Sequence, residues 1–286
     1  GVYPNMDRTP DSKSILVWAG GKNRRVDADG SNAVVIPFRV ADTRAVAGAP
    51  HPQIEVAPAS FTTRMTRFAA VSPDGGRVVF ESMGKLWVRP VSGGAPKRLT
   101  NLAEDAGFEL YPSWSRDGRS IVFVEWSDAK LGSIRTVSAA GGAAKDLTTQ
   151  PGLYARPQFA PDGRTIVFEK ATGGGLTAPG WSNDPGVYRV AAAGGAPELV
   201  ARGMARPQFG ASSDRLFMTS PGEDKLQLVS TDLDGEGKRV HASGELANDY
   251  VVAPDGKSIA FRQNYQVFAM PLMPGGQEVT GGPKAD

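Results

Sequence analysis

Six copies of one short phrase, spaced 43–63 residues apart, constrain the fold of this chain more than any other feature. Two clear copies read Trp114-Ser-Arg-Asp-Gly-Arg-Ser-Ile-Val-Phe123 and Phe159-Ala-Pro-Asp-Gly-Arg-Thr-Ile-Val-Phe168. Regular self-similarity of this kind is typical of repeat folds, in which each copy forms one structural unit. One position of the phrase, here called the anchor, is an aspartate in five copies and a serine in the sixth: Asp11, Asp74, Asp117, Asp162, Ser212 and Asp255.

The residues four, five and six positions after each anchor form an apolar run, such as Ile121, Val122 and Phe123. Successive side chains of a strand point to opposite faces, so a fully apolar run predicts a strand that is covered on both faces. Sheets stacked side by side around an axis provide such an environment.

Each copy continues with a second strand-like run, a Gly-rich turn and a short closing strand, for which residues 278–280 are the candidate in the last copy. Pro-Asp-Gly and Gly-Gly supply the turns, because proline fixes φ and glycine accepts positive φ. Four short strands per repeat predict an all-β protein, a β-propeller with six four-stranded blades. We expect a single domain over 1–286, with blades at about 1–38, 65–100, 108–148, 153–200, 204–241 and 246–280 and an insertion at about 39–64.

Composition excludes several classes of function. The formal net charge is +2 with interleaved signs, so no basic stripe suggests a nucleic-acid partner. No apolar run approaches the ~18 residues that a membrane span requires. Cysteine is absent, which excludes disulfides and thiolate metal sites.

Catalytic and metal-binding motifs are missing as well. The two histidines, His51 and His241, are too far apart for a His-x-His pair, and we expect His241 to be an ordinary surface or edge residue. No Gly-x-Ser-x-Gly nucleophile motif and no phosphate-binding Gly-rich loop occurs. Two Asp-rich strings, at 27–32 and 232–236, resemble parts of a calcium loop, but they stand where other blades have hairpin turns. We therefore expect no catalytic residue, metal or cofactor in this chain, and we expect the anchor aspartates to be turn residues.

The first strand of each propeller blade lines the central channel. The residues six positions before the anchors are Asn5, Phe68, Tyr111, Arg156, Arg206 and Asp249. Arg156 and Arg206 fall in neighbouring blades, with Tyr111 on one side and Asp249 on the other, and two arginines at a channel mouth could clamp a carboxylate bidentately. The alternative is that they pair with acids such as Asp249 or Glu109 and only fill the channel.

A long loop at 170–186 is the second candidate binding region. It carries Trp181, Asn183 and Asp184, and its tryptophan either covers the blade or anchors a partner. Trp126 is expected in the matching loop one blade earlier, so that the two tryptophans would share a rim.

The repeat resembles the TolB-like propeller repeat, through Ser72-Pro-Asp-Gly75, Val-Val-Phe80, Leu-Trp-Val88 and Gly-Gly-x-Pro-x-x-Leu-Thr100. Further strings look like the propeller region of large bacterial metal-dependent amidohydrolases: Gly1-Val-Tyr-Pro, Leu16-Val-Trp-Ala-Gly-Gly-Lys22, Lys130-Leu-Gly and Trp181-Ser-Asn-Asp-Pro-Gly-Val-Tyr-Arg-Val190.

These resemblances imply a non-catalytic module of an exported, periplasmic or secreted bacterial protein. Its partner would be a catalytic domain outside this sequence, which would hold the metal and hydrolyse carbon–nitrogen bonds. The alternative is a free-standing periplasmic TolB-like scaffold that binds another protein. Because the chain begins at Gly1, within a repeat, we expect it to be a piece of a longer polypeptide. A short protein left after signal cleavage is the other interpretation.

Overall fold

The computed structural model describes residues 5–48, 56–173, 183–223, 225–273 and 277–278. These residues form 24 β-strands in six sheets and no helix. Accordingly, the described part of the chain contains no helix long and apolar enough to cross a membrane. The predicted fold class, an all-β propeller built from six blades, is confirmed.

The chain divides into two compact units, Gly1–Ser60 and Phe61–Asp286. The first unit contains one antiparallel sheet in the order β1-β2-β3-β4. Its strands are β1 (Met6–Arg8), β2 (Ser14–Ala19), β3 (Lys22–Asp27) and β4 (Val34–Val35). The expectation that 1–286 is one domain stays a prediction.

The second unit contains the other five sheets, which are antiparallel meanders of consecutive strands except at the last strand of the fifth blade. The second blade consists of β5 (Arg67–Val71), β6 (Arg77–Ser82), β7 (Lys85–Pro90) and β8 (Lys97–Arg98). The third blade consists of β9 (Phe108–Trp114), β10 (Ser120–Ser127), β11 (Leu131–Ser138) and β12 (Lys145–Asp146). The fourth blade consists of β13 (Tyr154–Phe159), β14 (Thr165–Lys170), β15 (Gly186–Ala191) and β16 (Glu198–Ala201).

The last two sheets depart from the predicted pattern at the closing strand. The fifth blade consists of β17 (Ala205–Phe209), β18 (Leu216–Pro221), β19 (Leu226–Thr231) and β20 (Arg239–Gly244), and the sixth of β21 (Ala247–Val252), β22 (Ser258–Gln263) and β23 (Gln266–Pro271). The remaining strand, β24 (Gln277–Glu278), pairs in parallel with β20 and so extends the fifth blade. The expectation that residues 278–280 close the sixth blade is therefore wrong at residue 278, and 279–280 lie outside the described residues.

The apolar runs form the core between neighbouring blades. Ile121 and Phe123 pack into a cluster with residues of the second blade, whereas Val122 packs into a cluster with residues of the fourth. All three side chains are fully buried. Alternation along one strand thus buries both of its faces, as the sequence predicted.

The anchor aspartates act as turn residues. The side chain of each of the five accepts a hydrogen bond from the backbone N–H two residues later, at 3.0–3.1 Å. Gly118 follows its anchor at φ 69°, a conformation that glycine adopts at little cost. The pKa of Asp117 is lowered, mainly by the hydrogen bond from the Ser115 hydroxyl and next by that from the Arg119 N–H. The Asp-rich strings are hairpin turns too: in one of them Asp232 accepts from the backbone N–H groups of Asp234 and Glu236.

Candidate functional site

A cavity of about 330 Å³ lies within the second unit, where the first strands of its five blades converge. The five residues that stand six positions before an anchor all line it: Phe68, Tyr111, Arg156, Arg206 and Asp249. The first strands are β5, β9, β13, β17 and β21, so the cavity is the channel that the repeat register predicts. Asn5, the sixth member of the set, belongs to the first unit.

Four of these residues share an unusual backbone conformation. Their φ angles lie in the left-handed region, between 51° and 54°: Phe68, Tyr111, Arg156 and Arg206. In each strand the register with its neighbour shifts at this point, which is the signature of a β-bulge. A left-handed residue other than glycine costs about 1–3 kcal/mol, and such residues cluster at active sites and ligand-binding sites. The same strain is therefore repeated around the channel at the positions that line it.

The two arginines form ion pairs with neighbouring carboxylates. Arg156 Nη1 lies 3.0 Å from Glu169 Oε2, and Arg206 Nη1 contacts Asp249 Oδ1. The backbone N–H of Arg206 also donates to Glu169 Oε2 at 3.1 Å, so Glu169 connects the fourth and fifth blades. Asp249 is thus a partner, as one interpretation of the sequence held.

Glu109, the other suggested partner, lies elsewhere. Its buried carboxylate accepts from the Leu86 N–H at 2.7 Å and from the Thr100 hydroxyl at 2.5 Å, which ties the second blade to the third. It has no contact with either channel arginine.

Each channel arginine keeps part of its guanidinium available. Only Nη1 of each is engaged, and among the described residues no acceptor lies against Nε or Nη2. The side chains of Arg156 and Arg206 remain 36% and 34% exposed. The Nε–Nη2 edge of an arginine is the geometry that binds a carboxylate with two parallel hydrogen bonds. The ion pairs hold the arginines in place without using up these donors.

Aromatic rings form the wall beside the arginines. The ring centroids of Phe68 and Tyr111 lie 4.2 Å apart, and the two ring planes are tilted by 47°. The guanidinium of Arg156 lies over the Tyr111 ring at 5.6 Å, within the range of a cation–π contact. The channel therefore offers hydrogen-bond donors for a carboxylate next to an apolar surface.

Arg116 connects the anchor turns of three blades of the second unit. It extends from the turn of the third blade, and its Nη2 and Nη1 donate to the carbonyls of Gly210 at 2.7 Å and Pro254 at 3.1 Å. These carbonyls belong to the turns of the fifth and sixth blades. Since the fourth blade stands between the third and the fifth, the side chain spans the inner ends of the blades at this face.

Trp126 lies in strand β10, as its penultimate residue, and not in a loop as expected. Together with Leu110, Val124 and Tyr154 it lines a second, smaller cavity of about 180 Å³ between the third and fourth blades. Tyr111 and Arg156 line both cavities, so the smaller one opens beside the channel arginine.

The loop at 170–186 is described only at its two ends, and Trp181 lies outside the described residues. Asp184 accepts hydrogen bonds from Nε and Nη2 of Arg202, the shorter at 2.9 Å, and its carbonyl accepts from the Tyr188 hydroxyl at 2.6 Å. Asn183 and Asp184 do not line the channel. The structure thus separates them from Tyr111, Arg156, Arg206 and Asp249.

His241 is not the surface residue that we expected. It lies inside β20, 7% exposed, with Nε2 at 2.6 Å from the Ser230 hydroxyl and Nδ1 at 3.3 Å from the Met273 carbonyl. Burial lowers the pKa of His241, and the cations of Arg215 and Arg239 act in the same direction. Within the described residues, no group of three or more His, Cys, Asp or Glu side chains could hold a metal ion.

Sequence reasoning missed Glu169 and Arg116. Glu169 follows the apolar run of its blade and pairs across the strands with Ala155, next to Arg156. An antiparallel alignment of the sequences of β13 and β14 would have placed Glu169 beside Arg156. Nothing local to Arg116 indicates that it contacts the fifth and sixth blades.

Comparison with known proteins agrees with this architecture. Over 62 residues the chain is 37% identical to the Tol-Pal system protein TolB of Francisella tularensis subsp. mediasiatica, covering 22% of this chain but only 14% of that protein. It is 27% identical over 195 residues to the uncharacterized protein Atu1656 of Agrobacterium fabrum, covering 66% of this chain and 58% of that one. The crystal structure of TolB from Acinetobacter baumannii superposes with a TM-score of 0.57 at 16% identity, over 94% of this chain and 60% of that chain.

The chain therefore spans well under two thirds of the length of these curated relatives. Residues 69–270 match the TolB beta propeller domain family, PD40. This match covers most of the chain and begins and ends within the five blades that surround the channel. The chain belongs to the PD40 family of TolB beta propeller domains.

Proposed function

We propose that this chain is a non-catalytic propeller module that binds a polypeptide by capturing a carboxylate in the channel. The observation that carries the proposal is the pair of channel arginines. Arg156 and Arg206 line the same cavity beside Phe68 and Tyr111, and within the described residues only their Nη1 atoms donate side-chain hydrogen bonds. A ligand that combines a carboxylate with an apolar group fits both features.

Two settings are consistent with such a module. In the first, it docks onto or gates the catalytic domain of an exported amidohydrolase-type protein, and any metal belongs to that domain. In the second, it is a free-standing scaffold in the periplasm that binds a separate protein. The resemblance of Leu16-Val-Trp-Ala-Gly-Gly-Lys22 and neighbouring strings to amidohydrolase propellers supports the first setting, and the similarity to TolB supports the second. The reading frame downstream of codon 286 distinguishes them: a His-x-His motif there supports the first, and a stop codon rules it out.

Binding is tested with short fluorescein-labelled peptides. One set carries acidic side chains or a free C-terminus, and a matched set replaces every carboxylate with an amide. We expect the carboxylate peptides to bind at least about tenfold more tightly, since a hydrogen bond to a charged group contributes about 1.5–3 kcal/mol. In the double variant Arg156→Lys with Arg206→Lys this preference should shrink to a few-fold, because lysine keeps the charge but lacks the planar fork that binds a carboxylate bidentately.

The matched control is the double variant Arg119→Lys with Arg164→Lys. These two arginines are exposed and lie in the third and fourth blades, beside the anchor turns. Their substitution keeps the net charge, as in the tested variant, and does not touch the channel. Equal binding of the two peptide sets, or an equal loss in the control variant, would show that the channel arginines are structural.

A further inference from the structure

The anchor turns of three blades are tied together at one face of the second unit. Arg116 of the third blade holds the turn carbonyls of Gly210 and Pro254, in the fifth and sixth blades. The same two turns also touch each other, because a Cβ on Gly210 would lie 3.3 Å from the Cα of Gly256. We therefore expect a polypeptide to reach the channel from the opposite face.

The smaller cavity gives the entering group a second place to bind. Its lining is mainly apolar, from Leu110, Val124, Trp126, Leu153 and Tyr154, and it meets the channel at Arg156. Its volume of about 180 Å³ is sufficient for one large side chain, since a dry cavity of roughly 150 Å³ holds benzene. The guanidinium of Arg156 thus stands at the junction of a polar site and an apolar one.

We infer that the ligand of this channel is the C-terminal residue of a polypeptide and that its side chain is large and apolar, an inference that rests on the proposed function. Only at a C-terminus do a carboxylate and a separate side chain branch from the same Cα. The α-carboxylate binds the free edges of Arg156 and Arg206, and the side chain enters the smaller cavity. An internal aspartate or glutamate can supply the carboxylate, but the apolar group must then come from a neighbouring residue, at a greater distance along the chain.

The inference is tested with labelled peptides of one Gly-Ser sequence that end in phenylalanine, leucine or glycine, each as a free acid and as an amide. We expect the phenylalanine and leucine acids to bind about tenfold or more tightly than their amides, because the amide removes the charge. They should exceed the glycine acid by a similar factor, because glycine buries no side chain. Anisotropy titrations at fixed salt measure both ratios.

The variant Ala171→Phe separates the two binding sites. Ala171 lines the smaller cavity and not the channel, so a phenylalanine ring there would occupy the space of the ligand's side chain. The variant should bind all three acids as weakly as wild type binds the glycine acid. Ala193→Phe is the control, since Ala193 is an exposed turn residue of the same blade.

The outcomes distinguish this inference from the proposed function. If peptides with internal acidic residues bind, but neither amidation nor the last side chain matters, carboxylate capture stands and the C-terminal assignment is overturned. If the last residue matters but Ala171→Phe has no effect, the apolar cavity is not the specificity site. If no carboxylate peptide binds, both proposals fail.

Discussion

Replacing Phe123 with alanine tests the central claim about how the blades are held together. The Phe123 side chain is fully buried in the cluster between the second and third blades, where Val79, Leu86 and Trp114 surround it. Its strand β10 is central in its sheet, paired to β9 and β11. The ring can therefore neither reach solvent nor be replaced by a loop side chain.

The expected loss follows from two contributions. Burying a phenylalanine side chain is worth about 1.5–3 kcal/mol of transfer free energy. A remaining cavity of roughly 60–100 Å³ adds about 1.5–2.4 kcal/mol at ~24 cal/mol per Å³. Two packed sheets limit relaxation, so we expect Phe123→Ala to lower the free energy of unfolding by about 3–5 kcal/mol.

Urea unfolding monitored by tryptophan fluorescence measures this loss, because Trp114 lies in the same cluster and reports on its integrity. Phe123→Leu should cost much less, since it keeps most of the volume. Phe61→Ala is the exposed counterpart and should change the stability by less than about 0.5 kcal/mol. A loss below about 1 kcal/mol for Phe123→Ala would refute the assignment of this strand to a core that is buried on both faces.

Three further predictions concern groups other than the channel arginines. Burial lowers the pKa of His241, so below about pH 6.5 the unfolded chain binds a proton more readily than the folded one. Stability should therefore fall as the pH drops from 7.5 to 5.5, and urea midpoints should show a smaller drop for His241→Gln. Burial raises the pKa of Tyr250 to about 12, so the stability that the neutral phenol contributes is fully present below about pH 10 and is lost progressively as the pH rises towards 12. Tyr250→Phe should be less stable than wild type at pH 9, having lost the bond to the Leu226 carbonyl, and the difference should shrink at pH 11. Arg116→Ala should cost about 1–3 kcal/mol and increase hydrogen exchange at the turns it holds, whereas unchanged exchange there would contradict its role as a tie.

Most of the fold could be predicted from the sequence because its signals are local and repeated. The turn chemistry around Asp117 and Gly118 is contained within a few residues, and the apolar run at 121–123 specifies a strand without reference to the rest of the chain. Six copies of the same local information then specify the blade. The prediction of the closing strand of the sixth blade was wrong, because a strand of two residues has too little sequence pattern to identify its partner strand.

The candidate site was predicted in part. The repeat register alone brought Phe68, Tyr111 and Arg156 to one cavity, because equivalent positions of equivalent strands meet at the axis. The bulge at each channel position depends on how neighbouring strands shift in register, which one sequence does not state. We expected His241 at the surface or at an edge because it falls near a strand end, but its side chain is buried within β20.

The bulges limit which amino acids the channel can use. At φ near 50° a β-branched side chain clashes with its own backbone far more than an unbranched one does. Valine, isoleucine and threonine, the residues most common in strands, are therefore disfavoured at positions 68, 111, 156 and 206, although these lie in strands. Arginine, tyrosine, phenylalanine and asparagine remain allowed, and they are residues that make directional contacts. A saturation library at position 111, sorted for folded protein, should lose the β-branched variants first. The backbone thus restricts the channel positions to residue types whose side chains can recognise a ligand.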